Sequence, residues 1–124
     1  MFGGKKTVLI VEDDASLRTT LQERFAKAGY RVVVAGDARE VLVSIEGEAP
    51  DALVLDLILP VKDGITLLEE LRASGYSLPV FLLSNLLGSE PLRNDAIRLG
   101  ASYFNKSSTN PDDLVAAVTE TLNN

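Results

Sequence analysis

The chain has 124 residues, 46% hydrophobic and 24% charged, the balance of one globular domain that buries roughly two thirds of its unfolded surface. Its net charge of −6 has the wrong sign for gripping nucleic acid, so no direct nucleic-acid partner is expected. With no cysteine and no histidine, it has no disulfide, thiolate metal site or Ser-His triad, and no histidine of its own to phosphorylate. The first apolar run, Val8 to Val11, is far too short for a signal-peptide core or a membrane span of about 20 residues. A cytoplasmic protein with no membrane partner is the expectation.

Residues 1–6 read as a flexible lead-in and 7–124 as the domain. Thr7 to Val11 is a continuous β-branched and apolar run, the mark of a strand buried on both faces. Glu12-Asp13-Asp14 ends it, with Asp14 suited to cap a helix whose Leu17, Leu21, Phe25 and Ala28 share one face and which stops at Gly29. Arg31 to Ala35 reads as a second strand. Asp37 and Glu40 resemble a capping box before a short helix that uses Val41, Leu42 and Ile45 and closes at Gly47. Asp51 to Leu55 is a third buried strand ending at Asp56. A loop with Pro60 and Asp63-Gly64 leads to a helix with Ile65, Leu68 and Leu71 inward, stopped by Gly75. Leu78 to Leu83 is a fourth strand, with Pro79 tolerable near its start. Ser89 and Pro91 suit the start of a helix through Leu92, Ala96 and Leu99. Ser102 to Asn105 is a short fifth strand, and Asn110-Pro111 opens a last helix carrying Leu114, Val118 and Leu122. Five βα units in succession predict an α/β fold, a doubly wound parallel sheet of five strands with five helices.

Ligands of such sheets bind at the carboxyl ends of the strands. Glu12, Asp13 and Asp14 follow the first strand, Asp56 the third, Ser84 and Asn85 the fourth, and Lys106 the fifth. Taken singly, each is an ordinary turn, cap or surface residue. Together they direct carboxylates, a hydroxyl, an amide and an ammonium to one rim. Crowded carboxylates repel unless a cation intervenes, and hard oxygen ligands of this kind suit Mg²⁺. Asp56 is then positioned to offer an oxygen to phosphorus, with Lys106 and Ser84 facing the phosphoryl oxygens.

From Lys6 to Leu122 the sequence resembles the receiver domain of two-component response regulators. Val8-Leu9-Ile10-Val11-Glu12-Asp13-Asp14 is similar to the family's apolar strand and acidic pair. Leu55-Asp56-Leu57-Ile58-Leu59-Pro60 with Asp63-Gly64 is similar to its phosphoacceptor segment, with the proline four and the glycine eight residues after the aspartate. The resemblance implies a flavodoxin-like sheet in the order 2-1-3-4-5. It implies Glu12, Asp13, Asp56 and the backbone carbonyl of Ile58 as Mg²⁺ ligands, and Asp56 as the phosphoacceptor. Ser84 takes the switch hydroxyl position, Asn85 the position after it, and Lys106 that of the family lysine. The implied phosphodonor is a phosphohistidine on a sensor histidine kinase or histidine phosphotransfer protein, or a small acyl phosphate. A downstream protein or output domain would read the surface of the fourth helix, fifth strand and fifth helix. The chain would be no enzyme beyond its own phosphorylation and dephosphorylation.

Two departures from the family pattern stand out. Lys106-Ser107 replaces a lysine-proline pair, which leaves the conformation of that peptide bond open. Gly100 to Lys106 is also one residue short. Counting back from Lys106 makes Tyr103 the switch aromatic, and counting forward from Gly100 makes it Phe104; Tyr103 is preferred because the chemistry fixes the lysine. Ile58 and Leu86, two residues beyond Asp56 and Ser84, are apolar where side chains control water access, so slow dephosphorylation is expected. A haloacid-type phosphatase needs an acid where Ile58 stands, and a flavin phosphate would be repelled by Glu12-Asp13-Asp14. The remaining rival is a pseudo-receiver, an interaction module that takes no phosphoryl group.

Overall fold

The computed structural model describes residues 5–59, 62–85 and 90–123; Met1 to Gly4, Pro60, Leu86 and Ser89 lie outside the described residues. Strands and helices alternate as β1 (Thr7–Val11), α1 (Ala15–Lys27), β2 (Arg31–Ala35), α2 (Arg39–Glu48), β3 (Ala52–Asp56), α3 (Gly64–Ala73), β4 (Val80–Ser84), α4 (Glu90–Arg98), β5 (Ala101–Asn105) and α5 (Pro111–Leu122). The strands form one parallel sheet in the order β2-β1-β3-β4-β5, the doubly wound flavodoxin-like topology.

Every residue of β1, β3 and β4 is buried, which is why their sequences are apolar runs rather than alternating patterns. Alternation still assigns each side chain to a face. Leu9, Val11, Leu53, Leu55, Val80 and Leu82 point into a core shared with Val41 and Ile45 of α2, Leu67, Leu68 and Leu71 of α3, and Ala96 of α4. Val8, Ile10, Val54, Phe81 and Leu83 point into a second core with Leu21 and Phe25 of α1 and Leu114, Val115 and Val118 of α5. Burying each such leucine or phenylalanine stabilises by roughly 1.5–3 kcal/mol, enough to fix which way every strand faces.

Asp14, Asp63 and Asn110 cap α1, α3 and α5, accepting from the amides of Leu17, Thr66 and Asp112. Several boundaries differ from the sequence reading. Asp37 makes no capping box; its Oδ1 accepts from the Arg39 amide at 2.9 Å and Ala38 is the N-cap. α2 passes Gly47 and ends at Glu48, with Ala49 as a C-cap whose φ of 47° is left-handed, before Pro50, which cannot extend the helix. Leu42 faces solvent at 39% exposure, and Ala28 is the exposed C-cap of α1. β4 starts at Val80, two residues late, because Pro79 has no N–H for the ladder while its carbonyl accepts from Leu53 at 3.0 Å.

The carbonyls just before β4 are taken up by one side chain. Arg72 donates from Nη1 to Tyr76 O at 3.0 Å and Leu78 O at 2.9 Å, and from Nε to Leu99 O at 2.8 Å. Burial pulls its guanidinium below the ordinary arginine value. No helix among the described residues is long and apolar enough to cross a membrane.

Candidate functional site

The polar rim begins where β1 leaves the sheet. Glu12 is 1% exposed, an unusual depth for a carboxylate, and its amide still reaches Ala35 O at 3.4 Å. Its Oε2 accepts from the Asp14 amide at 3.0 Å, and its carbonyl accepts from Arg18 Nη1 at 2.8 Å. Asp13 projects into solvent.

Asp56 closes β3 at 3% exposure, its Oδ1 accepting from the Ile58 amide at 3.1 Å. The chain then turns tightly against the start of α3. Gly64 donates to Leu57 O at 2.7 Å, and a Cβ at residue 64 would lie 2.8 Å from Asp56 O and 2.9 Å from Leu57 Cα. Both obstacles are backbone, so glycine is required there. This is the physical content of the eight-residue spacing from Asp56.

Ser84 is buried at the end of β4, and its carbonyl accepts from the Lys106 amide at 2.8 Å, joining the ends of β4 and β5. Asn105 Oδ1 accepts from Ser107 N and Oγ and from Ser108 N, shaping the turn after β5 where the family pattern has proline. No cis peptide occurs among the described residues, and the Lys106-Ser107 bond is trans. Lys106 Nζ lies 2.8 Å from Glu12 Oε1 and 3.0 Å from Asp56 Oδ2. A cleft of about 310 Å³ above these groups is lined by Asp13, Asp14, Asp56, Ile58, Asn85 and Lys106. Of the residues expected at the rim, five line the cleft, Glu12 meets Lys106 Nζ, and Ser84 joins Lys106 through its backbone carbonyl. Asp14 lines the cleft while also capping α1.

Oxygens of Glu12, Asp13 and Asp56 all lie within 4.8 Å of one another, close enough to share one cation. Burial raises the Glu12 carboxyl from 4.5 to about 7, more than Lys106 and the Asp14 amide lower it, and Asp56 raises it further. Burial acts to lower Lys106, but Glu12 and Asp56 outweigh it and hold the ammonium above its ordinary value. The contact of Lys106 with Glu12 is one of charge without hydrogen-bond alignment, so Glu12 Oε1 is a buried acceptor with no aligned donor. An acceptor in that position, beside two more carboxylates, fits a hard divalent cation such as Mg²⁺.

The two aromatic candidates on β5 separate by face. Tyr103 packs against the core that includes α3 and α4. Phe104 joins the opposite core, its ring 6.2 Å from that of Phe81. Arg18 was not singled out by the sequence; its contact is to a backbone carbonyl six residues away, which leaves no local pattern.

The response regulator receiver domain model matches residues 8–119. The chain belongs to that family. Receiver domains of solved structure superpose closely: that of Francisella response regulator 1452 has a TM-score of 0.88 at 29% identity, covering 96% of this chain and 98% of its own. The BeF3-activated N-terminal receiver domain of Klebsiella pneumoniae RstA has a TM-score of 0.86 at 32% identity, covering 96% of this chain and 100% of its own. Among curated proteins, the probable transcriptional regulator ycf27 of Guillardia theta is 35% identical over 95% of this chain and 46% of its own length. The alkaline phosphatase synthesis transcriptional regulatory protein PhoP of Bacillus subtilis is 39% identical over 64% of this chain and 33% of its own. The receiver domain described here thus spans about half or less of the length of such relatives.

Proposed function

We propose that this receiver domain is a phosphoacceptor switch with Asp56 as the modified residue. The observation that carries the reading is Lys106 Nζ set between Glu12 Oε1 and Asp56 Oδ2 at 2.8 and 3.0 Å, under an open cleft. Glu12, Asp13, Asp56 and the Ile58 carbonyl would hold Mg²⁺, which when bound supplies charge neutralisation for the incoming phosphoryl oxygens. An Asp56 carboxylate oxygen attacks phosphorus, the bond from phosphorus to the donor breaks, and the donor imidazole nitrogen or the carboxylate oxygen of the acyl phosphate departs with that electron pair. The Lys106 ammonium faces the developing charge, and the Ser84 hydroxyl donates to a phosphoryl oxygen. Little covalent work is asked of the protein, and positioning does the rest.

The donor in this reading is a phosphohistidine on a sensor kinase or phosphotransfer protein in the cytoplasm, or a small acyl phosphate. The chain acts on no substrate but itself. Tyr103, on the α4 side of β5, follows Ser84 inward, and the phosphoryl group shifts an existing two-state equilibrium by its extra contacts in one state. The relatives named as transcriptional regulators point to an output domain as the reader of that shift.

Incubation with acetyl phosphate and Mg²⁺ followed by mass measurement tests the assignment. A gain of one phosphoryl group, absent in Asp56→Asn, is the expected result. No uptake from acetyl phosphate or from a cognate kinase would leave the pseudo-receiver reading in its place. Ile58 is 57% exposed at the cleft and cannot orient an attacking water, so the phosphoryl group should persist. Replacing Ile58 with Asn should shorten its lifetime, and a lifetime already short and unchanged by the substitution contradicts that account.

A further inference from the structure

We propose that Arg18 is a positioning residue for the cation site, holding the acidic turn 12–14 in place through the backbone carbonyl of Glu12. The inference rests on the reading of Glu12 and Asp13 as cation ligands given above. β1 ends at Val11, and among the described residues no backbone amide outside the strands donates to the Glu12 carbonyl. Arg18 Nη1 takes it at 2.8 Å. The Arg18 amide donates to Asp14 O at 2.9 Å, the Asp14 amide donates to Glu12 Oε2 at 3.0 Å, and Asp14 Oδ1 accepts from Leu17 at 3.1 Å. These bonds close a ring that joins the acidic turn to the first turn of α1.

Arg18 stands next to the most acidic part of the molecule, yet among the described residues it forms no ion pair. Its donor goes to a peptide oxygen, so orientation rather than charge compensation is its contribution. Groups that orient ligands from behind typically change metal affinity by about 10- to 100-fold when removed.

The two roles an arginine can play here differ in sign. A guanidinium near a cation repels it, so a purely electrostatic Arg18 would weaken Mg²⁺ binding and its removal would tighten it. A positioning Arg18 strengthens binding, and its removal weakens it. Titration of the metal-free protein with MgCl₂ by calorimetry separates them. Arg18→Met should bind Mg²⁺ about tenfold or more weakly, and Arg18→Lys, which keeps the charge and part of the reach, should fall between. Amide exchange at Asp14 and Leu17 should quicken in Arg18→Met, while thermal unfolding in EDTA reports any general loss of stability separately. Mg²⁺ affinity that is unchanged or tighter in both variants, with Asp13→Asn still weakening it, overturns the proposal and leaves the site assignment standing. A wild-type protein that takes up no Mg²⁺ overturns both.

Discussion

Replacing Glu12 with glutamine should make the metal-free domain more stable, although it removes a residue of the site. The Glu12 carboxyl is raised from 4.5 to about 7 in the folded protein, chiefly by burial. Between those two values the folded state holds a proton that the unfolded chain has released, so stability falls as pH rises through that window. At about 1.4 kcal/mol per pH unit, the full effect above pH 7 is about 3 kcal/mol. Glutamine has the shape of the protonated acid and carries no charge to desolvate. In EDTA at pH 8, Glu12→Gln should therefore unfold later than wild type by up to ~3 kcal/mol, or roughly 10 °C for a chain of this size. Near pH 4.5 the two should coincide. With Mg²⁺ added at pH 8, the wild type should recover stability and the variant should not. Urea denaturation at the two pH values, with and without the metal, provides the measurement. A variant less stable than wild type at pH 8, or a gap that does not change with pH, would refute the view that burial governs this carboxylate.

Gly64→Ala should destabilise by about 1–3 kcal/mol and slow acetyl phosphate uptake, because the new methyl meets the backbone of Asp56 and Leu57; urea denaturation and mass measurement check the two effects. Arg72→Met should cost about 2–4 kcal/mol by leaving three carbonyls without their donor, read by urea denaturation and by faster amide exchange near Leu99. Ala49→Gly should raise stability by roughly 0.5–1 kcal/mol, since relief of a left-handed alanine exceeds the added freedom of the unfolded chain; a thermal melt suffices.

The sheet and the rim were legible because two simple signals coincide in this chain. Runs such as Leu53-Val54-Leu55 are apolar throughout, so they belong in a sheet covered on both faces, and the first polar residue after each run lands at the same edge. What stayed hidden depends on groups distant in sequence. The end of α2 turns on a left-handed alanine before Pro50, which no helical pattern announces. Leu42 fits the periodicity of a buried face, yet the inward positions fall to Val41 and Ile45. The count from Asp56 to Gly64 was visible, but not the backbone contact that demands it. Counting back from Lys106 favoured Tyr103 over Phe104 without showing where either ring lies; the pleat sends one to each side of the sheet.

Arg72 fastens the connection into β4 to the close of α4, at the end of the sheet away from Asp56. Five-residue strands separate the two ends by about 16 Å, so that tether forms a fixed footing. If Asp56 is the switch proposed above, a rearrangement begun there would tilt α4 about that foot instead of sliding it bodily. A partner gripping the half of α4 nearer Ser84 would then feel the larger excursion.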